Sequence, residues 1–251
     1  MKQNILKNLE NYPYYKILKI PNQKDNELKA KFLLYATKLG RIRSQNNDKD
    51  KIIEIKPNIK KIKNLKKKRK KIKTVLRYHQ TNLGGSIHSD GPQLDKPPKY
   101  IIMACENNSL SGGDTILVDT KKIYDFLMVK NQKLLKILEK KFFFERRGFK
   151  YKNRNVFLKP IFKKNNFQFR YLRDYIEKGF ILKNKKLTSQ QKLAMDLLDR
   201  LLTSNKFSKK LKLKRGELII LNNHVLAHGR STFKIKNNSE VNRKLYRIWL
   251  N

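Results

Sequence analysis

The feature that most constrains the fold is a series of short apolar runs bounded by turn residues. These runs are YIIMAC (100–105), TILV (115–118), VFLKPIF (156–162), FQFRYL (167–172), ELIIL (217–221) and LYRIWL (245–250). Runs of this length that are rich in β-branched and aromatic residues predict short strands. We therefore expect the segments 142–182 and 211–250 to consist mainly of strands.

Helical patterns interrupt the strands as separate blocks. Apolar residues recur at helical spacing over 27–39 and over 121–141, where Asp119 or Thr120 can cap the helix. Thr188 and Gln191 form the pattern of a capping box before a further leucine-rich helix. Because strands and helices do not alternate, the sequence predicts an antiparallel barrel or jelly roll with helices packed outside, not a Rossmann-like sheet.

Length and composition are those of a globular protein. The chain has 251 residues, of which 39% are hydrophobic, and it lacks an apolar run of 18 or more residues. We expect a single domain over residues 1–251, with 1–75 the least certain part, in a cytoplasmic protein without membrane contact. The single cysteine, Cys105, lies in an apolar strand and is expected to pack as an unreactive side chain.

The net charge of +41 is the strongest compositional signal. A field of this size attracts polyanions and small anionic substrates. However, 47 of the 61 basic residues are lysine, and they are spread from end to end. The lysine-rich segment 56–73 could be a strand pair, a helix face or a loop, and no aromatic residues interleave its charges as a nucleic-acid platform would require. We therefore expect no specific nucleic-acid partner.

One short motif carries two metal-ligand types. His88 and Asp90 are two residues apart, so on an extended segment both side chains project to the same face. Two histidines and one carboxylate on one face of an octahedron suit iron(II) and leave three positions open. A third ligand has to come from the remaining histidines, which are His79, His224 and His228. The last two directly follow the apolar run ELIIL.

Four motifs occur in a fixed order: HSDGPQLDKPPKYIIMAC, SGGDTILVDT, NNHVLAHGRSTF and NRKLYRIWL. In this order they resemble the taurine dioxygenase (TauD/TfdA) family of iron(II)- and 2-oxoglutarate-dependent oxygenases. The resemblance covers residues 76–120 and 216–250 well. It implies a mainly β fold with flanking helices, a double-stranded β-helix (jelly roll, clavaminate synthase-like). It also implies hydroxylation of an unactivated C–H bond, with O2 and 2-oxoglutarate consumed and succinate and CO2 released.

The resemblance also implies the metal ligands. His88 and Asp90 fill the HxD positions of the family, and His228, in HGR, fills the distal histidine position. His224 then is a structural residue or a neighbour of the ligands. Halogenating relatives carry Gly or Ala at the position of Asp90, so the carboxylate there argues against halogenation.

Three further residues are implied to bind small molecules. Thr115 matches the threonine that hydrogen-bonds 2-oxoglutarate, and Arg243 matches the arginine that pairs with its distal carboxylate, where a planar guanidinium gives a bidentate clamp. Arg247 matches a second arginine that binds the anionic group of the substrate in some relatives. It predicts a small, anionic or amino-acid-like substrate, and the longer interval between His228 and Arg243 means that taurine itself does not follow.

Two alternatives come from other functional classes. A basic nucleic-acid-binding protein would bind with a steep salt dependence and without iron or 2-oxoglutarate. A non-catalytic jelly roll with a structural metal would show closed coordination and no turnover. The sequence leaves open the identity of the substrate, the oligomeric state, and whether hydroxylation gives way to desaturation or cleavage.

Overall fold

The computed structural model describes residues 2–20, 27–67, 80–147, 155–235 and 243–251. Within these ranges the helices are α1 Lys2–Glu10, α2 Leu28–Leu39, α3 Ile59–Lys67, α4 Thr120–Lys130, α5 Gln132–Leu138, α6 Arg173–Leu182 and α7 Ser189–Thr203. The strands of the N-terminal half are β1 Tyr15–Lys19, β2 Ile42–Arg43, β3 Ile52–Ile55, β4 Tyr100–Asn107 and β5 Thr115–Asp119. The later strands are β6 Lys141–Glu145, β7 Val156–Pro160, β8 Phe162–Lys163, β9 Gln168–Phe169, β10 Ser208–Leu211, β11 Glu217–Asn222, β12 Leu226–Arg230 and β13 Lys244–Leu250.

A large antiparallel sheet forms the centre of the fold. Its strand order is β1-β11-β4-β13-β2, and β3 also pairs with β13. Strand β4 lies between β11 and β13, with Ile102 opposite both Ile220 and Ile248. The first and last parts of the described chain therefore meet in one sheet, because β1 extends it beyond β11.

A smaller antiparallel sheet, with the order β10-β5-β12, faces the large one. Side chains from both sheets form one buried cluster, which includes Ile101 and Met103 of β4, Leu117 of β5, Leu226 of β12 and Trp249 of β13. Alternation along each strand sends every second residue into this space. His228 lies two residues after Leu226 on β12, so its side chain points into the same interior.

Helices cover the outer faces of both sheets. Phe32, Ala36 and Leu39 of α2 pack with Ile248 and Leu250, which occupy the opposite face of β13 from Trp249. Helices α4 to α7 and the β6-β7 hairpin form a second apolar cluster behind the small sheet. The capping box of Thr188 and Gln191 is present at the start of α7, as predicted.

Two predicted elements differ from the structure. The helix expected over 121–141 is divided at Asn131, whose non-helical backbone (φ −156°, ψ 64°) ends α4 and whose side chain accepts a hydrogen bond from Leu134 N at the start of α5. The strands expected over 142–182 end at β9, and α6 follows. Its buried residues Ile176, Gly179 and Phe180 have helical spacing, and tertiary packing overrides the strand preference of the aromatic residues around it.

The remaining predictions about local structure have clear outcomes. The lysine-rich segment 56–73 contains α3, and its residues 68–73 lie outside the described ranges. Cys105 is fully buried in an apolar cluster, which confirms that it packs as a core side chain, and burial raises the pKa of its thiol to about 12. None of the helices in the described part of the chain is long and apolar enough to cross a membrane.

Candidate active site

His88 and His228 are joined through their backbones. His88 N donates to His228 O at 3.0 Å and His228 N donates to His88 O at 2.8 Å, so the segment around His88 pairs with β12 as an isolated antiparallel bridge. The two imidazole rings then lie 4.8 Å apart between centroids. Residues 140 positions apart in sequence are therefore brought together by strand pairing.

Asp90 is held in place by the side chain of Asn223. Asn223 Oδ1 accepts a hydrogen bond from Asp90 N at 2.8 Å, while Asn223 Nδ2 donates to Asp90 O at 3.0 Å and to Pro98 O at 2.9 Å. Asn223 is fully buried in the turn between β11 and β12. It thus fixes the backbone of Asp90 relative to the strand that carries His228.

Two side chains of β13 donate hydrogen bonds to the carboxylate of Asp90. Arg247 Nη1 donates to Oδ1 at 2.8 Å and Trp249 Nε1 donates to Oδ2 at 3.0 Å. Arg247 and Trp249 are two residues apart on one strand, so both side chains reach the same face of the sheet. The carboxylate side chain is only 5% exposed, and these two donors stabilise its charge.

His88, Asp90 and His228 form the one cluster of three or more metal-ligating side chains within the ranges that the structure describes. Their ligand atoms all lie within 4.8 Å of one another. Nε2 of His88 is 3.8 Å from Asp90 Oδ1, and Nε2 of His228 is 3.9 Å from Asp90 Oδ2. Separations of this size fit three donors that surround one ion, since each metal–ligand bond is about 2 Å long.

The protonation states also suit a metal. The carbonyl oxygen of Ser86 lies 2.9 Å from Nδ1 of His88, so Nδ1 donates and the lone pair of Nε2 remains available. Burial, the largest cause, lowers the pKa of His228 to about 3, and His88 and Arg247 act in the same direction. The imidazole of His228 is therefore neutral, as a metal ligand must be.

Asp90 is ionised in the same surroundings. Burial acts to raise the pKa of its carboxyl group, but Arg247, His228 and His88 together with the bond from Trp249 lower it overall. Two imidazoles and one carboxylate therefore face a common point. Their residue types and proximity fit a divalent ion such as iron(II), with room for further ligands.

Arg243 lies against the backbone of Gly113, two residues before Thr115. Thr115 begins β5 opposite Arg230, and its side chain is buried. Arg243 Nε donates to Gly113 O at 3.2 Å, and a Cβ atom on Gly113 would stand 3.0 Å from Cδ and Nε of Arg243. Because Gly113 has a φ of +73° and no side chain, the buried guanidinium can lie against the backbone two residues before Thr115.

His224 lies outside the cluster. Its Nε2 is 3.0 Å from Gln168 Nε2, and its backbone N–H donates to Asn222 Oδ1. Burial lowers the pKa of His224 to about 4. These contacts are those of a structural residue in the turn before β12.

The sequence reasoning missed three residues of this site: Gln45, Asn223 and Trp249. Trp249 could have been found, since it alternates with Arg247 along a predicted strand. Gln45 and Asn223 carry no local signal, because their bonds are made to residues far away in the chain.

Comparison with known proteins adds a family. A family model described as "Taurine catabolism dioxygenase TauD, TfdA family" matches residues 13–249. No curated protein matches the sequence significantly.

Solved structures resemble the whole chain. An asparagine oxygenase in complex with Fe(II), 2S,3S-3-hydroxyasparagine and succinate is 12% identical with a TM-score of 0.72, over 99% of this chain and 78% of that one. The non-heme iron oxygenase OrfP in complex with Fe and alpha-ketoglutaric acid is 12% identical with a TM-score of 0.66, over 100% and 78%. OrfP with Fe, succinate and (3S)-hydroxy-L-Arg is 12% identical with a TM-score of 0.68, over 99% and 80%. The predicted mainly β fold with flanking helices, a jelly roll, is confirmed by these likenesses.

Proposed function

The chain belongs to the TauD/TfdA family of dioxygenases, and from that membership we propose that it is an iron(II)- and 2-oxoglutarate-dependent oxygenase. The reaction is hydroxylation of an unactivated C–H bond in a small amino-acid-like molecule. The observation that carries the proposal is the convergence of His88, Asp90 and His228, which come from two segments far apart in sequence and meet in the interior between two sheets.

These three side chains would hold the iron. When bound, iron with 2-oxoglutarate activates O2, so that decarboxylation of the cosubstrate to succinate and CO2 accompanies oxidation of the substrate. The task of the chain is to keep the ligands on one face and to shield that face from water. The ligands are kept on one face by the backbone hydrogen bonds between His88 and His228 and by the hydrogen bonds of Asn223 to the backbone of Asp90.

Arg243 and Thr115 would bind 2-oxoglutarate. Arg243 is buried with its Nε fixed to Gly113 O, so its terminal nitrogens are oriented by the backbone before any ligand arrives. A preorganised guanidinium gives a carboxylate a charge-assisted, bidentate contact. The hydroxyl of Thr115, at the start of β5, would add a further hydrogen bond.

Arg247 would contact an anionic group of the substrate. Its Nε and Nη1 are bonded to Gln45 and Asp90, while Nη2 makes no hydrogen bond within the described residues. One solved relative is named an asparagine oxygenase and another is in complex with (3S)-hydroxy-L-Arg, which supports an amino-acid-like substrate whose carboxylate binds Nη2 of Arg247. We further propose that the protein acts in the cytoplasm.

An anaerobic titration tests the proposal. Iron(II) and 2-oxoglutarate added together should give a weak metal-to-ligand charge-transfer band, because three protein ligands leave room for a bidentate keto acid. Amino acids and other small anions should then be screened in air for stimulated release of succinate. Absence of the band, with no succinate formed from any compound, would refute the function.

A further inference from the structure

Gln45 lies in the turn between β2 and β3, and its side chain makes three hydrogen bonds. Gln45 Nε2 donates to Lys51 O at 3.1 Å and to Arg247 O at 2.7 Å, and Gln45 Oε1 accepts from Arg247 Nε at 2.8 Å. The residue is 5% exposed. Both ends of the amide are therefore used, and its orientation is fixed because only the NH2 group can donate to the two carbonyl oxygens.

The contact with Gln45 determines how Arg247 is oriented. A guanidinium is planar, so fixing Nε on one side fixes the plane in which Nη1 and Nη2 lie. In that plane Nη1 meets Asp90 Oδ1 at 2.8 Å. Without the acceptor on Gln45, a long arginine side chain that is 18% exposed has other rotamers open to it.

The side chain of Arg247 links Gln45 to Asp90 through one hydrogen bond to each. Arg247 joins the two residues directly, and Trp249 holds the second oxygen of Asp90 from the same strand. Residue 45 is 202 positions from Arg247 in sequence. It reaches the site because β2 and β3 both pair with β13, so the turn between them lies beside β13.

We propose that Gln45 is a positioning residue of the metal centre, which orients the carboxylate of Asp90 by holding Arg247. This inference rests on the proposed function, since it assumes that Asp90 is a metal ligand. A neutral amide suits the task, because it accepts from the guanidinium without adding a second negative charge that would compete with Asp90 for Arg247.

Binding of Co(II) to the full chain in the absence of 2-oxoglutarate tests the proposal without catalysis. Gln45→Met removes the acceptor at nearly constant volume. It should weaken Co(II) binding by about 10- to 100-fold, the effect of losing a residue that orients a ligand, and should change the visible absorption spectrum of the bound ion. Asn46→Ala is the matched control, because within the described part of the chain the hydrogen bonds of the Asn46 side chain stay in the same turn, with Asp48 and Asp50.

Gln45→Glu separates the two functions of the amide. Glutamate keeps an acceptor for Arg247 Nε and loses the donors to Lys51 O and Arg247 O. If Gln45 acts through Arg247, Gln45→Glu binds Co(II) more tightly than Gln45→Met does, because the acceptor for Arg247 Nε is kept. If the residue only holds the turn, Gln45→Glu is as weak as Gln45→Met, and the proposal is wrong.

A double-substitution cycle provides the last check. Arg247→Met combined with Gln45→Met should bind Co(II) no more weakly than Arg247→Met alone, because the second change removes a contact that no longer exists. Additive losses would overturn the proposal. Equal binding by the unchanged protein and by Asp90→Ala would instead refute the metal site itself, and with it the proposed function.

Discussion

Asn223 offers the sharpest test of how the site is built. Asn223→Ala removes three buried hydrogen bonds, two to the backbone of Asp90 and one to Pro98 O. The N–H of Asp90 and two carbonyl oxygens then lose their partners in a region where Asp90 is 4% exposed. The backbone that carries a candidate ligand would be released from the strand that carries His228.

The magnitude follows from the number of bonds. Each buried hydrogen bond contributes a net stability of about 0.5–1.5 kcal/mol, so the loss of three should lower the free energy of unfolding by about 3 kcal/mol. Urea unfolding of the metal-free protein measures this change. Because the substitution also loosens Asp90, metal affinity should fall by about tenfold or more, measured by calorimetric titration with a divalent ion.

Asn222→Ala is the matched control. Asn222 is also buried and also bridges two segments, since its side chain donates to Leu9 O and accepts from His224 N. Asn222→Ala should lower the free energy of unfolding by a similar amount and leave metal affinity unchanged. The reasoning is refuted if Asn223→Ala binds metal as tightly as the unchanged protein, or if both substitutions weaken binding equally.

Other predictions concern the ligands, the cosubstrate and pH. Asp90→Ala and His228→Ala should each abolish iron(II) binding, whereas His224→Ala should retain it; equal losses in an anaerobic titration would mean that the wrong histidine was chosen. Arg243→Leu should raise the 2-oxoglutarate concentration needed for the charge-transfer band, by an amount equivalent to about 2–5 kcal/mol, since it removes half of a charge-assisted pair; an unchanged requirement would exclude Arg243 from the cosubstrate site. Because burial lowers the pKa of His224 from 6.5 to about 4, the unfolded state binds more protons between these values, and the free energy of unfolding should fall as pH drops from 6.5 to 4. His224→Gln should make that fall shallower in urea unfolding at several pH values, and an identical profile would contradict the assignment.

The sequence predicted most of the elements because their signals are local. Strand β4 and strand β13 appear as apolar runs with the bounds expected to within two residues. The capping box at Thr188 is present because its two hydrogen bonds join residues only three positions apart. By contrast, the division at Asn131 depends on a backbone conformation that apolar periodicity does not reveal.

The candidate site was predicted in part for the same reason. His88 and Asp90 could be paired from their spacing alone, since a strand sends alternate residues to one face. The choice of His228 rested on resemblance to a family, because nothing local distinguishes it from His224. The single domain over residues 1–251 stays a prediction.

The sequence by itself determined the positions of most strands and helices, which residue types could bind a metal, and that the interior is apolar. Only the tertiary structure decided which of these residues meet. Asn223 reaches Asp90 across 133 positions, Trp249 reaches it across 159, and Gln45 reaches Arg247 across 202. Such contacts depend on the order of strands in the sheets, which is set by burial of whole faces and not by any short pattern, so a polar partner supplied by a distant turn becomes visible only once the sheets have formed.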